Sequence, residues 1–255
     1  MKSALTCNKF SKINHKGPKT IGPLLYKIVM EIFFTADSHY NHKNIVRGVS
    51  SWDNKDGCRD FNTIEEMNTA IVDGINRVVK EDDVLFHLGD FAFGDPKGYR
   101  DFRYKIRCKT IHLIYGNHDK RIYGNEQNLQ DLFATTGFYR EININGQKII
   151  MSHYGFRVWN ESHRGSWMLH GHSHGTLSPM VPGPMITALL EKKRFTELQQ
   201  LAEGRHPAQH ANGKTLDVGI DTHPEFRPYS LSELSEIMSK RNAVQVDDHI
   251  PKSDC

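Results

Sequence analysis

Glu31-Ile-Phe-Phe-Thr-Ala-Asp-Ser-His39 and Asp83-Val-Leu-Phe-His-Leu-Gly-Asp90 follow one pattern: a short apolar run that ends on a carboxylate or an imidazole. Short runs rich in β-branched and aromatic residues read as buried strands. The pattern returns in Thr110 to Tyr115 before Gly116-Asn-His-Asp119 and in Gln147 to Ser152 before His153. It appears again in Trp167 to His170 before Gly171-His-Ser-His174, and Leu216 to Ile220 reads as one more strand. Helical patterns lie between them. Ile64, Met67, Ile71, Ile75 and Val78 recur at helical spacing over Ile64 to Lys80, and Thr63 with Glu66 has the spacing of a capping box. Ser230 with Glu233 repeats that start signal for a helix ending near Lys240, and weaker patterns put helices over Pro96 to Ile106 and Glu126 to Ala134. Alternating strands and helices predict a layered α/β architecture with part of the sheet covered on both faces.

Composition narrows the function classes. A chain of 255 residues allows one large domain or two small ones. With 38% hydrophobic and 25% charged residues it is ordinary globular material. No apolar run approaches the roughly 18 to 20 residues of a membrane span, so a soluble, cytoplasmic protein with no membrane partner is expected. A formal net charge of +3, scattered along the chain, does not by itself imply a nucleic-acid partner. The basic clusters Lys192-Lys-Arg194 and Arg103 to Lys109 read as solvated helix faces. Cys7, Cys58, Cys108 and Cys255 form no CxxC pair, which favours a reducing compartment and argues against thiolate zinc sites. The outlier is 15 histidines, the residue that most often ligates metal and moves protons.

Residues 1–29 lack a long apolar core and a small-residue cleavage site, so they read as an extension to a domain beginning at Met30 rather than as a secretion signal. Residues 242–255 read as a polar tail. The rhythm breaks over residues 177–213, where Pro179-Met-Val-Pro-Gly-Pro184 precedes an amphipathic stretch, Ile186 to Glu203. This insertion is either a surface decoration or a cap over the site.

The chemistry collects at the strand ends. Asp37 and His39 are two residues apart, and in an extended segment such positions face the same way, so one ion could take both. Asp90, the Gly116-Asn-His-Asp119 turn, His153 and the His172/His174 pair follow four further strands. Carboxyl ends of strands are where open α/β sheets bind ligands. The glycines at 89, 116 and 171 allow close backbone turns there. One such fragment means little, since a lone buried histidine is more often a hydrogen-bonded core residue. Five in this order predict a single site on one rim.

The order D-x-H, G-D, G-N-H-D, H, G-H-x-H resembles that of the calcineurin-like metallophosphoesterases, over Glu31 to about Arg241. The stretch Phe33 to Asn44, with Arg59-Asp-Phe61 and His87-Leu-Gly-Asp-Phe91, is similar to their compact single-domain members from bacteria and phages. The resemblance implies a four-layer α/β/β/α fold, two sheets flanked by helices, and a dinuclear centre. It implies that Asp37, His39 and His174 hold one divalent ion, that Asn117, His153 and His172 hold the other, and that Asp90 bridges them. His118 would contact the phosphate and protonate or stabilise the leaving oxygen, with Asp119 orienting its ring, and no phosphoenzyme is implied. Oxygen and nitrogen donors without sulfur suit Mn, Fe, Ni, Zn or Mg.

Around this set, His42 and Arg47 are either loop caps or phosphate contacts, since a guanidinium grips phosphate by two bonds. Arg157 lies on a loop that must pass near the site, where Trp159 is expected to pack rather than stack on a base. His87, His112 and His170 read as structural, and His223 has no evident partner. The expected activity is hydrolysis of a small phosphorylated substrate, a nucleoside 5′-monophosphate being the leading class. The runner-up is a phosphodiesterase or nuclease on the same ions. A non-catalytic scaffold would show missing ligands, and none is missing.

Overall fold

Successive side chains of a strand face opposite ways, and in the central runs of this chain both faces are apolar. Phe33 enters one hydrophobic cluster and Phe34 another, and Leu85 with Phe86 and Leu113 with Ile114 divide the same way. The computed structural model, which describes residues 30–177, 191–194, 196 and 213–243, arranges these runs as two sheets. In the first, β1 (Ile32–Thr35), β2 (Val84–His87), β3 (Thr110–Ile114) and β4 (Thr135–Gly137) run parallel in the order β4-β3-β2-β1. The second is β5 (Tyr139–Ile144), β6 (Gln147–Ser152), β7 (Trp167–His170) and β8 (Thr215–Asp217), parallel except for β5. A short β9 (Tyr229–Ser230) pairs antiparallel with β1.

Helices α1 (Ile64–Val78) and α2 (Pro96–Lys105) cover the outer face of the first sheet. Met67, Ile71 and Ile75 of α1 and Tyr99 and Phe102 of α2 cluster there with Phe33, Leu85, Ile111 and Leu113. Burying each such large side chain contributes about 1.5–3 kcal/mol. Between the sheets, Phe34, Phe86 and Ile114 meet Ile149, Met151, Trp167 and Leu169. Two short helices complete the described elements used here: α3 (Lys120–Tyr123) and α4 (Leu231–Ser239), the latter adding Leu234 and Met238 to the inter-sheet core. On the far side of the second sheet, Ile150 and Met168 pack with Trp159, whose indole N–H donates to Ser166. Trp159 therefore packs, and over the described residues this loop covers the face that the four-layer expectation gives to a helix. The class is the expected one, mixed sheets with flanking helices.

Some local expectations change. Thr63 accepts the Glu66 amide, but Glu66 reaches back to Asn62 rather than Thr63, so the box is displaced by one residue. Glu126–Leu132 is a broken 3₁₀ stretch with Gln127 and Asn128 at positive φ, not an α-helix. β8 stops at Asp217 because its carboxylate accepts the Gly219 amide and turns the chain. Lys192-Lys-Arg194 is exposed, as expected, whereas Arg103 donates to the carbonyls of Leu132 and Lys109 and so braces the β3 approach. Residues 1–29, most of the 177–213 insertion and residues 244–255 lie outside the described residues.

Candidate metal centre

The parallel strands of both sheets end at one rim, and main-chain bonds knit the departing loops together. Asp37 donates to Gly89, His39 to Asp90, Gly171 to His153 and Ala36 to Val218. The turns are tight: φ is 53° at Asp37, 49° at His39, 56° at Asp90, 70° at His172 and 47° at His174. Non-glycine residues held there cost about 1–3 kcal/mol each, and such residues gather at functional sites. Asp37 and His39 therefore converge through left-handed turns, not through the extended alternation expected. Two glycines make the approach possible. A Cβ at Gly116 would stand 2.2 Å from Asp90 Oδ1, and one at Gly171 would stand 2.6 Å from Asp37 Oδ2.

Two groups of donors result, Asp37/His39/His174 and Asp90/His153/His172, each with its ligand atoms within 4.8 Å of one another. His39 Nε2 lies 3.2 Å from His174 Nε2 and 3.9 Å from Asp37 Oδ1. Asn117 Oδ1 lies 3.0 Å from both His153 Nε2 and His172 Nδ1. Asp90, a member of the second group, also reaches the first, its Oδ2 being 3.6 Å from His39 Nε2 and 3.5 Å from His153 Nε2. Ligand atoms bound about 2.0–2.2 Å from one cation stand about 3–3.5 Å apart, and the separations here, 3.0 to 3.9 Å, are close to that.

Hydrogen bonding gives an independent test of fit. His153 Nδ1 donates to the Leu88 carbonyl at 2.8 Å, so in the neutral ring Nε2 presents a lone pair to the Asn117 oxygen. With the Asn117 oxygen turned to the ring, two lone pairs face each other there, and a cation between them removes the repulsion. His174 Nδ1 is likewise taken by Asp221 Oδ2 at 2.6 Å, leaving its Nε2 lone pair toward His39. The residues fit divalent cations.

Electrostatics point the same way. Asp37, Asp90 and His153 are at most 2% exposed. Burial pushes the Asp37 carboxyl up to about 7 against the pull of His174 and His153. Burial lowers His153, but the hydrogen bond and charge of Asp90, with the charge of Asp37, outweigh it and raise the ring to about 9. Burial raises Asp90, and bonding to His153 and to the His118 amide overcomes it, leaving the carboxyl below its usual range. Buried carboxylates this close bind positive charge, whether as protons or as metal.

His118 follows β3 at the mouth of the cluster. Its amide donates to Asp90 Oδ1 at 2.9 Å, its ring is 5.6 Å from that of His39, and no ring nitrogen is hydrogen-bonded among the described residues. Asp119 sits differently from expectation. Its carboxylate accepts the amides of Asp90, Phe91 and Gly116, so it braces the β2 and β3 loops and makes no bond to the His118 ring. His42 caps the Lys43–Ile45 turn through Nδ1, with burial holding the ring down to about 4, and its centroid lies 6.1 Å from that of His118. Arg47 is turned to Asp60 and the Cys58 carbonyl, and Arg157 is exposed; neither bonds to a cluster residue. His87 and His112 make structural bonds to Ser38 and Thr135. His223 does have partners: it accepts the Glu225 amide and lies 3.6 Å from Glu233.

Asp221 escaped the sequence reading. It is the first carboxylate past the end of β8, so the rule that found the other strand-end residues also points to it. His174 and Arg59 pull its carboxyl down to about 2 against burial.

Comparison with known proteins adds the following. The family model for calcineurin-like phosphoesterases matches residues 30–196. The uncharacterised protein MJ1445 of Methanocaldococcus jannaschii is 28% identical over 145 residues, 56% of this chain and 69% of that protein. The crystal structure of AQ665, a protein of unknown function from Aquifex aeolicus, superposes with a TM-score of 0.51 at 20% identity, covering 82% of this chain and all of the other. A novel archaeal phosphodiesterase superposes with a TM-score of 0.36 at 18% identity over 60% of this chain and 79% of that one.

Proposed function

The chain belongs to the calcineurin-like phosphoesterase family, a family of metal-dependent hydrolases, and we propose that it hydrolyses small phosphomonoesters at a dinuclear centre, with nucleoside 5′-monophosphates as the leading substrate class. The observation that carries the reading is Asp90 Oδ2 standing about equally far from His39 Nε2 and His153 Nε2, at 3.6 and 3.5 Å. One shared anion is what two neighbouring cations need.

Asp37, His39 and His174 would hold one ion, Asn117, His153 and His172 the other, and Asp90 both. When bound, two divalent ions lower the pKa of water, neutralise phosphate charge and orient an in-line displacement. The chain's own groups do the rest. Asp119 and the His118 amide hold Asp90 against rotation. His118, whose ring nitrogens have no hydrogen bond among the described residues, contacts the phosphate and gives a proton to the leaving oxygen. His42 lines the same mouth, while Arg47 and Arg157 reach phosphate only by leaving their present positions.

A cleft of about 490 Å³ opens beside His172 and His174, with Ile45, Trp52 and Leu177 on its apolar side. It supports a leaving group of nucleoside size, since ligand pockets run from about 300 to 1,000 Å³. Buried free thiols at Cys58 and Cys108 support a cytoplasmic setting. Among the described residues no helix is long and apolar enough to cross a membrane.

The test is a panel of mononucleotides, sugar phosphates, bis-aryl diesters and single-stranded DNA, each assayed with Mn²⁺ at two salt concentrations. Monoester turnover that varies little with salt is expected. Preferential cleavage of DNA with a steep salt dependence would replace this reading with a nuclease.

A further inference from the structure

We infer that Asp221 and Arg59 are positioning residues for one half of the dinuclear centre: together they fix the ring of His174 and the Asp37–His39 turn in place for a single ion. The inference rests on the dinuclear reading above and adds residues to it.

Three observations carry it. Asp221 Oδ2 lies 2.6 Å from His174 Nδ1, which must be the protonated nitrogen because a carboxylate oxygen accepts only. In the neutral ring that leaves Nε2 as the unprotonated atom, and it faces His39 Nε2 at 3.2 Å. The same Oδ2 accepts from Arg59 Nε at 3.2 Å and Nη2 at 3.0 Å. Arg59 is 7% exposed and its remaining donors go inward, Nη1 to the Ser38 carbonyl at 2.9 Å and Nη2 to the Asp37 carbonyl.

The result is a continuous chain from the end of β8, through a guanidinium, to the backbone of the turn that presents Asp37 and His39. Every bond in it that involves Asp221 is charge-assisted, and such bonds are stronger and more directional than neutral ones. The ring and backbone atoms so fixed are those of His174 and of the turn that carries Asp37 and His39. The other group is oriented by different partners, His153 by the Leu88 carbonyl and Asp90 by the His118 amide. Loss of the Asp221–Arg59 pair should therefore weaken one ion and spare the other. Because His174 and Arg59 meet the same oxygen, an asparagine at 221 can keep both contacts through its carbonyl, but without the charge that strengthens them.

The experiment titrates metal-stripped full-length chain with Mn²⁺ and follows binding calorimetrically, for wild type, His174→Ala, Asp221→Asn and Arg59→Lys. His174→Ala identifies which step belongs to its ion. The expected result is that Asp221→Asn, by neutralising the partner of His174, weakens that same step about 10- to 100-fold, the usual effect of substituting a ligand's supporting residue. The other step stays within about twofold, and Arg59→Lys produces a smaller loss in the same step. Melting of the stripped variants should match wild type within a few degrees. Both steps unchanged in Asp221→Asn would overturn the inference. So would equal loss of both steps, or collapse of the fold, since Asp221 would then be holding the structure rather than one ligand. Failure of the wild type to bind two ions would instead remove the dinuclear reading beneath it.

Discussion

At the scale of single residues, the site separates groups that hold charge from groups that can move a proton. Asp90 is buried, strained at φ 56° and tied through Oδ1 to the His118 amide, with Oδ2 aimed between two histidines. The His118 ring has no hydrogen bond among the described residues, and the residue is exposed. The two should fail differently. His118→Ala is expected to keep its bound metal and lose about 10²- to 10⁴-fold in turnover, the usual worth of a general acid, whereas Asp90→Ala should lose metal as well. Metal analysis beside phosphatase rates separates them, and full activity in His118→Ala would remove its assigned role. The strand-end residues were legible because carboxylates and imidazoles directly after apolar runs are rare by chance. The bonding of Asp119 was not, because its three acceptor contacts are all to backbone amides, which leave no trace in side-chain pattern.

At the scale of elements, legibility followed hydrophobic content. β1, β2, β3, β6 and β7 are buried and were readable as apolar runs. β5 has only exposed and half-buried positions, so its residues look like loop. The Asn145-Gly146 turn, with φ of 52° and 86°, was the available signal, since Asn-Gly between two strands marks a tight hairpin. The start of α4 was legible in full: Ser230 accepts the Glu233 amide and Glu233 accepts the Ser230 amide. Glu233 also pairs with Arg227 at 2.6 Å, and chiefly that bond holds its carboxyl down to about 2 from 4.5. A carboxyl lowered in the folded state stabilises above its unfolded pKa and stops doing so once protonated. Its contribution should be complete above about pH 4.5 and disappear as pH falls toward about 2. Urea unfolding of Glu233→Gln against wild type checks the sign. The variants should converge on acidification across that window and differ at neutral pH; a difference that grows on acidification contradicts the assignment.

At the scale of the whole molecule, the two sheets share a core and end their parallel strands on the same rim. The β1 turn bonds to the loop after β8 and to the loop after β2, so residues far apart in sequence face one small volume. The order of motifs along the chain implied such convergence, but the way the sheets are stitched together became visible only in three dimensions. The account's central claim is that this rim holds two cations on which phosphate-ester hydrolysis depends. The most direct measurement is hydrolysis rate as a function of Mn²⁺ bound per chain, starting from protein stripped by chelator, with a nucleoside 5′-monophosphate as substrate. The account predicts no turnover without metal and a full rate only when the second ion per chain is taken up. Hydrolysis by the stripped chain at the same rate, or a rate complete with one ion, would contradict it.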